Sequence, residues 1–308
     1  MSKTPTKTAD IQPRADVYAR VTAKIVEDLA QGVRPWARPW NAGHAAGPVS
    51  RPLRANGTPY RGINVLLLWA EAQDKNYTAP IWMTYKQAQG IGAQVRKGET
   101  GSLVVFADSL TKTETNDKGE ETERQIAFMK GYTVFNVEQI DGLPAHFTTP
   151  AVIPASPLPR LEAAEAFFAA TSADIRIGGN RAFYAPGLDR VQIPPRDSFR
   201  DAESYAGTLA HELTHWTSHE SRLNRALGKR FGDHAYAAEE LIAEMGAAFL
   251  CADLGIAALP RPDHAEYIAA WLKVLQADNR AIFTAATQAQ RAADYLHSLQ
   301  PQAAAKED

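Results

Sequence analysis

Apolar side chains recur at four-residue steps near the start of the chain, where Val17, Val21, Ile25 and Leu29 line one face of a helix over residues 15–31 and Gly32 ends it. Residues 63–73 are apolar almost throughout, the pattern of a buried helix. Thr84 followed by Gln87 forms a capping box that opens a third helix, stopped at Gly90 or Gly92. The period then changes. Residues 103–107 and 126–136 read as strands joined by a charged hairpin at 116–119. Beyond residue 160 a helix over 161–171 precedes three short strands at 174–178, 182–185 and 190–193. Helices at 201–219, 235–255, 265–276 and 280–298 follow.

Between these halves, residues 143–160 hold Pro144, Pro150, Pro154, Pro157 and Pro159 among small residues, the composition of a linker. The predicted fold class is therefore α+β in two domains, 14–142 and 161–298, the second a small sheet followed by helices. A disordered arm is expected at 1–13 and a disordered tail at 299–308.

A chain of 308 residues supplies enough material for two cores. Its single cysteine, Cys251, excludes an internal disulfide and a multi-cysteine metal cluster, and reads as a small buried side chain. The longest apolar run, 63–70, is too short to span a bilayer, and the first ten residues lack the apolar core of a secretory signal. The expectation is a cytoplasmic protein with no membrane partner. The net charge of −2 is unevenly spread: residues 1–142 carry 18 basic and 15 acidic side chains, and residues 1–112 carry 15 against 8. That excess suits an anionic partner or simply a solvated basic surface.

His211-Glu212-Leu213-Thr214-His215 is an HExxH sequence within a predicted helix. At 3.6 residues per turn both imidazoles project from one face and reach one metal ion, with Glu212 placed to take a proton from an attacking water. With 8 His in 308 residues, chance placement gives about one such motif per hundred chains of this composition. Tyr205, Leu209, Leu213 and Trp216 form an apolar stripe beside the metal face. A zinc site needs a third protein ligand. In the next helix Glu240 and Glu244 share a face, while Glu239 points about 100° away. This helix resembles the ligand helix of the glutamate-liganded zinc peptidases, the gluzincins. The resemblance implies Glu240 as the ligand and Glu244 as the acceptor that orients a histidine. The two roles are exchangeable, because Glu stands where Asp is usual. Tyr236 and His219 are candidate oxyanion donors. Residues 190–193 read either as an edge strand for peptide pairing or as an ordinary sheet strand.

In the first half, aromatic and cationic residues are interleaved as in a groove for single-stranded nucleic acid. The candidates are Arg34, Trp36, Arg38, Trp40, Tyr60, Arg61, Tyr85, Lys86 and Lys97, with the prolines of Arg-Pro-Trp-Ala-Arg-Pro-Trp holding residues 34–40 extended. Trp36–Trp40, Tyr60-Arg61-Gly62-Ile63-Asn64, residues 82–88, Lys97-Gly98-Glu99 and Val134-Phe135-Asn136 resemble the N-terminal domain of the ArdC antirestriction family. So, in matching order, do His211–Trp216, Arg222-Leu223-Asn224-Arg225, Arg230-Phe231-Gly232 and Glu239–Glu244. The resemblance implies a single-stranded DNA-binding domain joined to a zincin-like metallopeptidase domain, in a protein that protects conjugatively transferred plasmid DNA from host restriction. Zn2+ or another divalent transition metal is the implied cofactor. Single-stranded DNA is the implied partner, with double-stranded DNA and a host protein substrate as further candidates. Two other readings stand beside it: a zinc metalloprotease that cleaves a host protein and uses DNA only as an address, and a DNA-binding module in which zinc is a structural staple.

Overall fold

The structure, a computed structural model, describes residues 16–36, 50–115, 121–148, 158–226, 234–256 and 264–301. Helix α1 (Val17–Ala30) is capped by Asp16, whose side chain accepts from the Tyr18 amide, and buries Val21, Ile25 and Leu29 as their spacing predicts. Strand β1 (Leu53–Arg54) leads to Gly62, whose φ of 55° turns the chain into helix α2 (Ile63–Asp74). Strand β2 (Ile81–Met83) follows, then helix α3 (Tyr85–Gly90) with the Thr84–Gln87 capping box formed. Strand β3 (Gln94–Val95) precedes the long pair β4 (Ser102–Thr115) and β5 (Glu121–Asn136), in antiparallel register from Ser102↔Val134 to Thr115↔Glu121. Strand β6 (Ile140–Asp141) pairs with β3, and helix α4 (Ala145–Thr148) is a single turn.

The main sheet runs β1-β2-β5-β4. Its outer edge is closed by a side chain: Asn64 Nδ2 donates to the Val105 carbonyl and Asn64 Oδ1 accepts from the Val105 amide, both at 2.8 Å. Those are backbone groups that an incoming strand would need. Helix α2 is apolar on nearly every side because it packs against β4 and also against a helix of the second half.

That second half opens with helix α5 (Leu158–Ala170) and a sheet of β7 (Asp174–Ile177), β8 (Phe183–Ala185) and β9 (Arg190–Ile193). Four helices follow: α6 (Ala202–Trp216), α7 (His234–Leu254), α8 (His264–Ala277) and α9 (Ala281–Ser298). The sheet order is β7-β9-β8, so residues 190–193 form the central strand, parallel to β7 and antiparallel to β8. Both of its edges are paired, which removes the edge-strand reading of that segment. Helix α6 stops at Trp216, short of the predicted 219. There the Arg222 guanidinium takes up the Trp216 carbonyl at 2.7 Å, and Leu223 donates its amide to the Thr217 carbonyl.

The halves share one core. Trp36 meets Trp271 edge to face at 5.6 Å, Tyr18 meets Phe283 at 4.7 Å and Trp69 lies 6.1 Å from Phe249. Arg51, 6% exposed, forks onto Asp253 at 2.6 and 2.7 Å, donates to Gln290 at 2.6 Å and lies over the Phe249 ring. Gln290 also accepts from the Gly62 amide at the start of α2. Of the expected linker, α4 and the first turn of α5 are helical; residues 149–157, the arm and residues 302–308 lie outside the described residues.

Burial alone pushes the Asp253 carboxyl up, but His297, Arg51 and their charges outweigh it and hold it below the ordinary carboxylate range. A lowered folded value means that this contribution to stability is present above the unfolded pKa and is lost as pH falls through the folded one. Asp253→Asn is therefore expected to lower the urea midpoint at pH 7 and to differ little from the parent near pH 2. Equal losses at both pH values would contradict the assignment.

Candidate metal centre

Helix α6 is started by Asp201, which accepts from the Ser204 amide at 2.7 Å, and it buries Tyr205, Leu209, Leu213 and Trp216. That stripe fixes the rotation of the helix, so His211 and His215 both face α7. Their Nε2 atoms lie 3.1 Å apart, and the carboxylate of Glu240 in α7 spans them, Oε2 lying 3.6 Å from His211 Nε2 and Oε1 3.6 Å from His215 Nε2. All three ligand atoms fall within 4.8 Å of one another. A tetrahedral ion with bonds of about 2.0–2.1 Å requires donors roughly 3.3 Å apart, so the separations suit such an ion. Glu212 is buried on the same turn.

The Nδ1 atoms face outward from this cluster, each toward a carboxylate. Glu244 Oε1 lies 3.1 Å from His211 Nδ1, and Glu239 Oε1 lies 3.3 Å from His215 Nδ1. The two acids left open by the sequence thus occupy different places: Glu240 faces both Nε2 atoms, and Glu244 braces one ring. Glu239 is more surprising, since helix geometry turns it away from the ligand face. It remains within the helix interface because α6 and α7 cross closely at Gly246, where an added Cβ would meet Thr214 Cγ2 at 2.5 Å. Its carboxylate is gripped by Arg225, at 3.0 Å through Nε and 2.7 Å through a terminal nitrogen. Sequence reasoning missed both Glu239 and Arg225 as parts of the centre. The signal for Arg225 was its place in Arg222-Leu223-Asn224-Arg225 just after the helix.

Burial pushes the Glu240 carboxyl up, but hydrogen bonding from His211, the charges of both histidines and the Tyr236 hydroxyl outweigh it and set it at about 2. The Glu239 carboxyl is lowered against its own burial by His215 and Arg225. Tyr236 lies on Glu240 and 3.2 Å from the Tyr267 hydroxyl, while His219 bonds Ser221 at the helix end.

The candidate DNA residues divide. Trp36, 2% exposed, and Tyr60, 7% exposed, are core residues, so neither ring offers a stacking face. Trp36 is drawn inward by Trp271, a partner 235 positions away that local pattern does not reveal. Arg61 is exposed and ion-paired to Asp294. Tyr85, Lys86 and Lys97 are exposed, Arg34 is half-buried, and Arg38 and Trp40 lie outside the described residues. Phe106 and Tyr132, 47% and 44% exposed, form an edge-to-face pair at 6.3 Å on the β4–β5 ribbon. Phe106 escapes a reading of the sequence because strand alternation does not mark which face is open.

Comparison with known proteins agrees with this geometry. The family model for the N-terminal domain of anti-restriction factor ArdC matches residues 15–135, and a zincin-like metallopeptidase model matches residues 162–288. The uncharacterized protein y4eC of Sinorhizobium fredii (strain NBRC 101917 / NGR234) is 43% identical over 298 residues, 95% of each chain. The chain belongs to the ArdC family. The metal-free crystal structure of antirestriction ArdC protein from plasmid R388 is 44% identical, with a TM-score of 0.77 over 92% of this chain and 97% of that one. Its Mn(II)-bound structure gives 45% and 0.73 over 92% and 98%. DNA primase TraC of Escherichia coli is 40% identical over 257 residues, 78% of this chain and 23% of the primase. This ArdC-family chain is therefore a two-domain α+β protein whose second domain is zincin-like, with zinc or another divalent cation as its cofactor. Among the described residues no helix is long and apolar enough to cross a membrane.

Proposed function

We propose that this protein acts in the cytoplasm, binds DNA with a preference for single strands, and protects incoming plasmid DNA from host restriction during conjugation. In this reading residues 14–142 engage the DNA, residues 161–298 carry the metal centre, and 143–160 join them. The observation that carries it is the exposed set of Tyr85, Lys86, Lys97, Phe106 and Tyr132 in the half that matches the ArdC N-terminal domain. Aromatic faces stack on unpaired bases and cations follow phosphates, with little demand on sequence. Relationship to a DNA primase over 78% of the chain supports the same partner.

His211, His215 and Glu240 would hold the cation, with Glu239 and Glu244 orienting the two rings. When bound, a divalent cation supplies Lewis acidity that polarises a carbonyl and makes water a stronger nucleophile. Glu212, buried beside the triad, is the proton acceptor for an attacking water, and Tyr236 lies near enough to Glu240 to donate toward a developing oxyanion. This intact set favours a second reading, a metallopeptidase acting on a host protein with DNA used for localisation.

Anisotropy of a labelled 20-mer single strand with the full chain tests the first reading. Four phosphate contacts give roughly a 50-fold loss of affinity between 50 and 200 mM salt. A flat salt profile, or no binding, would remove it. Glu212→Gln separates the readings in a conjugation assay: protection should persist if DNA binding suffices, and should vanish if cleavage of a host protein is required.

A further inference from the structure

After Trp216 the chain makes a tight reversal in which Asn224 takes a left-handed φ of 47°, a conformation that asparagine tolerates. The reversal carries Arg222 and Arg225 back onto the end of α6. Arg222 lies over the Trp216 ring at 3.9 Å, takes up the Trp216 carbonyl and pairs with Asp189 of the β8–β9 connection. Its work is to tie the helix end to the sheet. Arg225 does something different. It is 5% exposed, and its guanidinium donates to the Thr214 carbonyl at 2.8 Å, to Thr217 Oγ1 at 2.7 Å and, through two nitrogens, to both oxygens of Glu239. Glu239 Oε1, so held, is the atom that faces His215 Nδ1.

A carboxylate in this position has only lone pairs to offer, so His215 must present Nδ1–H to it, leaving the Nε2 lone pair toward His211 and Glu240. Its orientation is not set by Glu239's own flexible side chain. It is set by a planar fork anchored at two points on the helix that bears His215 or just beyond it, the Thr214 carbonyl and Thr217 Oγ1. We propose that Arg225 is a positioning residue of the metal centre: acting through Glu239, it fixes the tautomer and ring orientation of His215 and thereby sets the affinity for a divalent cation. The inference rests on the metal-centre reading but on neither DNA binding nor peptide cleavage.

The test is a double-mutant cycle on the full chain, read as Zn2+ affinity by chelator competition. Arg225→Met and Glu239→Gln are each expected to weaken binding about 10–100-fold, the range for partners that orient a ligating histidine. Because one acts through the other, the pair should bind no worse than Glu239→Gln alone. Arg225→Lys keeps the charge without the fork and should fall between parent and Arg225→Met. In the metal-free protein at pH 8, 15N spectra of labelled histidines should show His215 in the Nδ1–H form in the parent and a mixture in Arg225→Met. A change in stability alone would not move that signature. Should Arg225→Met fail to fold, the Arg225→Met/Glu239→Gln pair removes the unpaired buried charge and, with Arg225→Lys, completes the comparison. Parental Zn2+ affinity in Arg225→Met, or a further tenfold loss when it is added to Glu239→Gln, would overturn the proposal. A parent chain that takes up no Zn2+ overturns the metal-centre reading as well.

Discussion

A fragment of residues 1–142 is expected to lack a cooperative unfolding transition, although it contains the whole region that matches the ArdC N-terminal domain. Tyr18, Trp36 and Trp69 pack on Phe283, Trp271 and Phe249, all contributed by helices beyond residue 233. Exposing three such side chains costs roughly 5–9 kcal/mol. That approaches the whole stability of a domain of this size, about 5–15 kcal/mol. The cut also leaves Arg51 without Asp253 and Gln290, and the Gly62 amide at the start of α2 without its acceptor. Circular dichroism with a urea titration checks it. The intact chain should melt in one transition and the fragment should give a broad, sloping signal with exposed apolar surface. A sharp two-state transition in the fragment would show that the shared core is dispensable.

The same packing explains what could and could not be read from the residues in order. Helix α1 was legible because Val21, Ile25 and Leu29 repeat with the helical period, and α3 because Thr84 and Gln87 write both halves of a capping box. The HExxH frame placed His211 and His215 on one face by spacing alone. What local pattern does not contain is the identity of the surface each face meets. Trp36 sits in a proline-held basic stretch that looks open, yet it is buried by Trp271. The strand at residues 190–193 alternates as an edge strand could, yet β7 and β8 flank it. Strands β1, β2, β3 and β6 are two or three residues long, too short to impose a period at all. Glu239 was set aside by a sound rule about 100° per residue. The rule assigns directions about one helix and is silent on how near the next one comes.

That nearness is set by Gly246, and replacing it should affect the metal centre more than any other change outside the centre itself. A Cβ at this position would lie 2.5 Å from Thr214 Cγ2 and 2.8 Å from Thr214 Oγ1, distances that real Cβ atoms do not adopt. Thr214 cannot swing aside: it is fully buried, and its hydroxyl donates to the Ala210 carbonyl at 2.8 Å. In Gly246→Ala the helices must therefore separate, at a cost typical of an overpacked core, about 1–3 kcal/mol. Glu240 moves away with α7 while His211 and His215 remain on α6, so the 3.6 Å spacing from each imidazole to Glu240 opens beyond what bonds tolerant to about 0.2 Å accept. Zn2+ affinity is expected to fall by about a hundredfold or more, the loss of a well-placed ligand rather than of its support. Thr214→Ala, which removes both clashing atoms, should restore most of that affinity in the Gly246→Ala background while itself costing some stability. Recovery in the double variant would show that the crossing distance, and not helix propensity at residue 246, governs the centre. Parental affinity in Gly246→Ala, or no recovery on adding Thr214→Ala, would refute it.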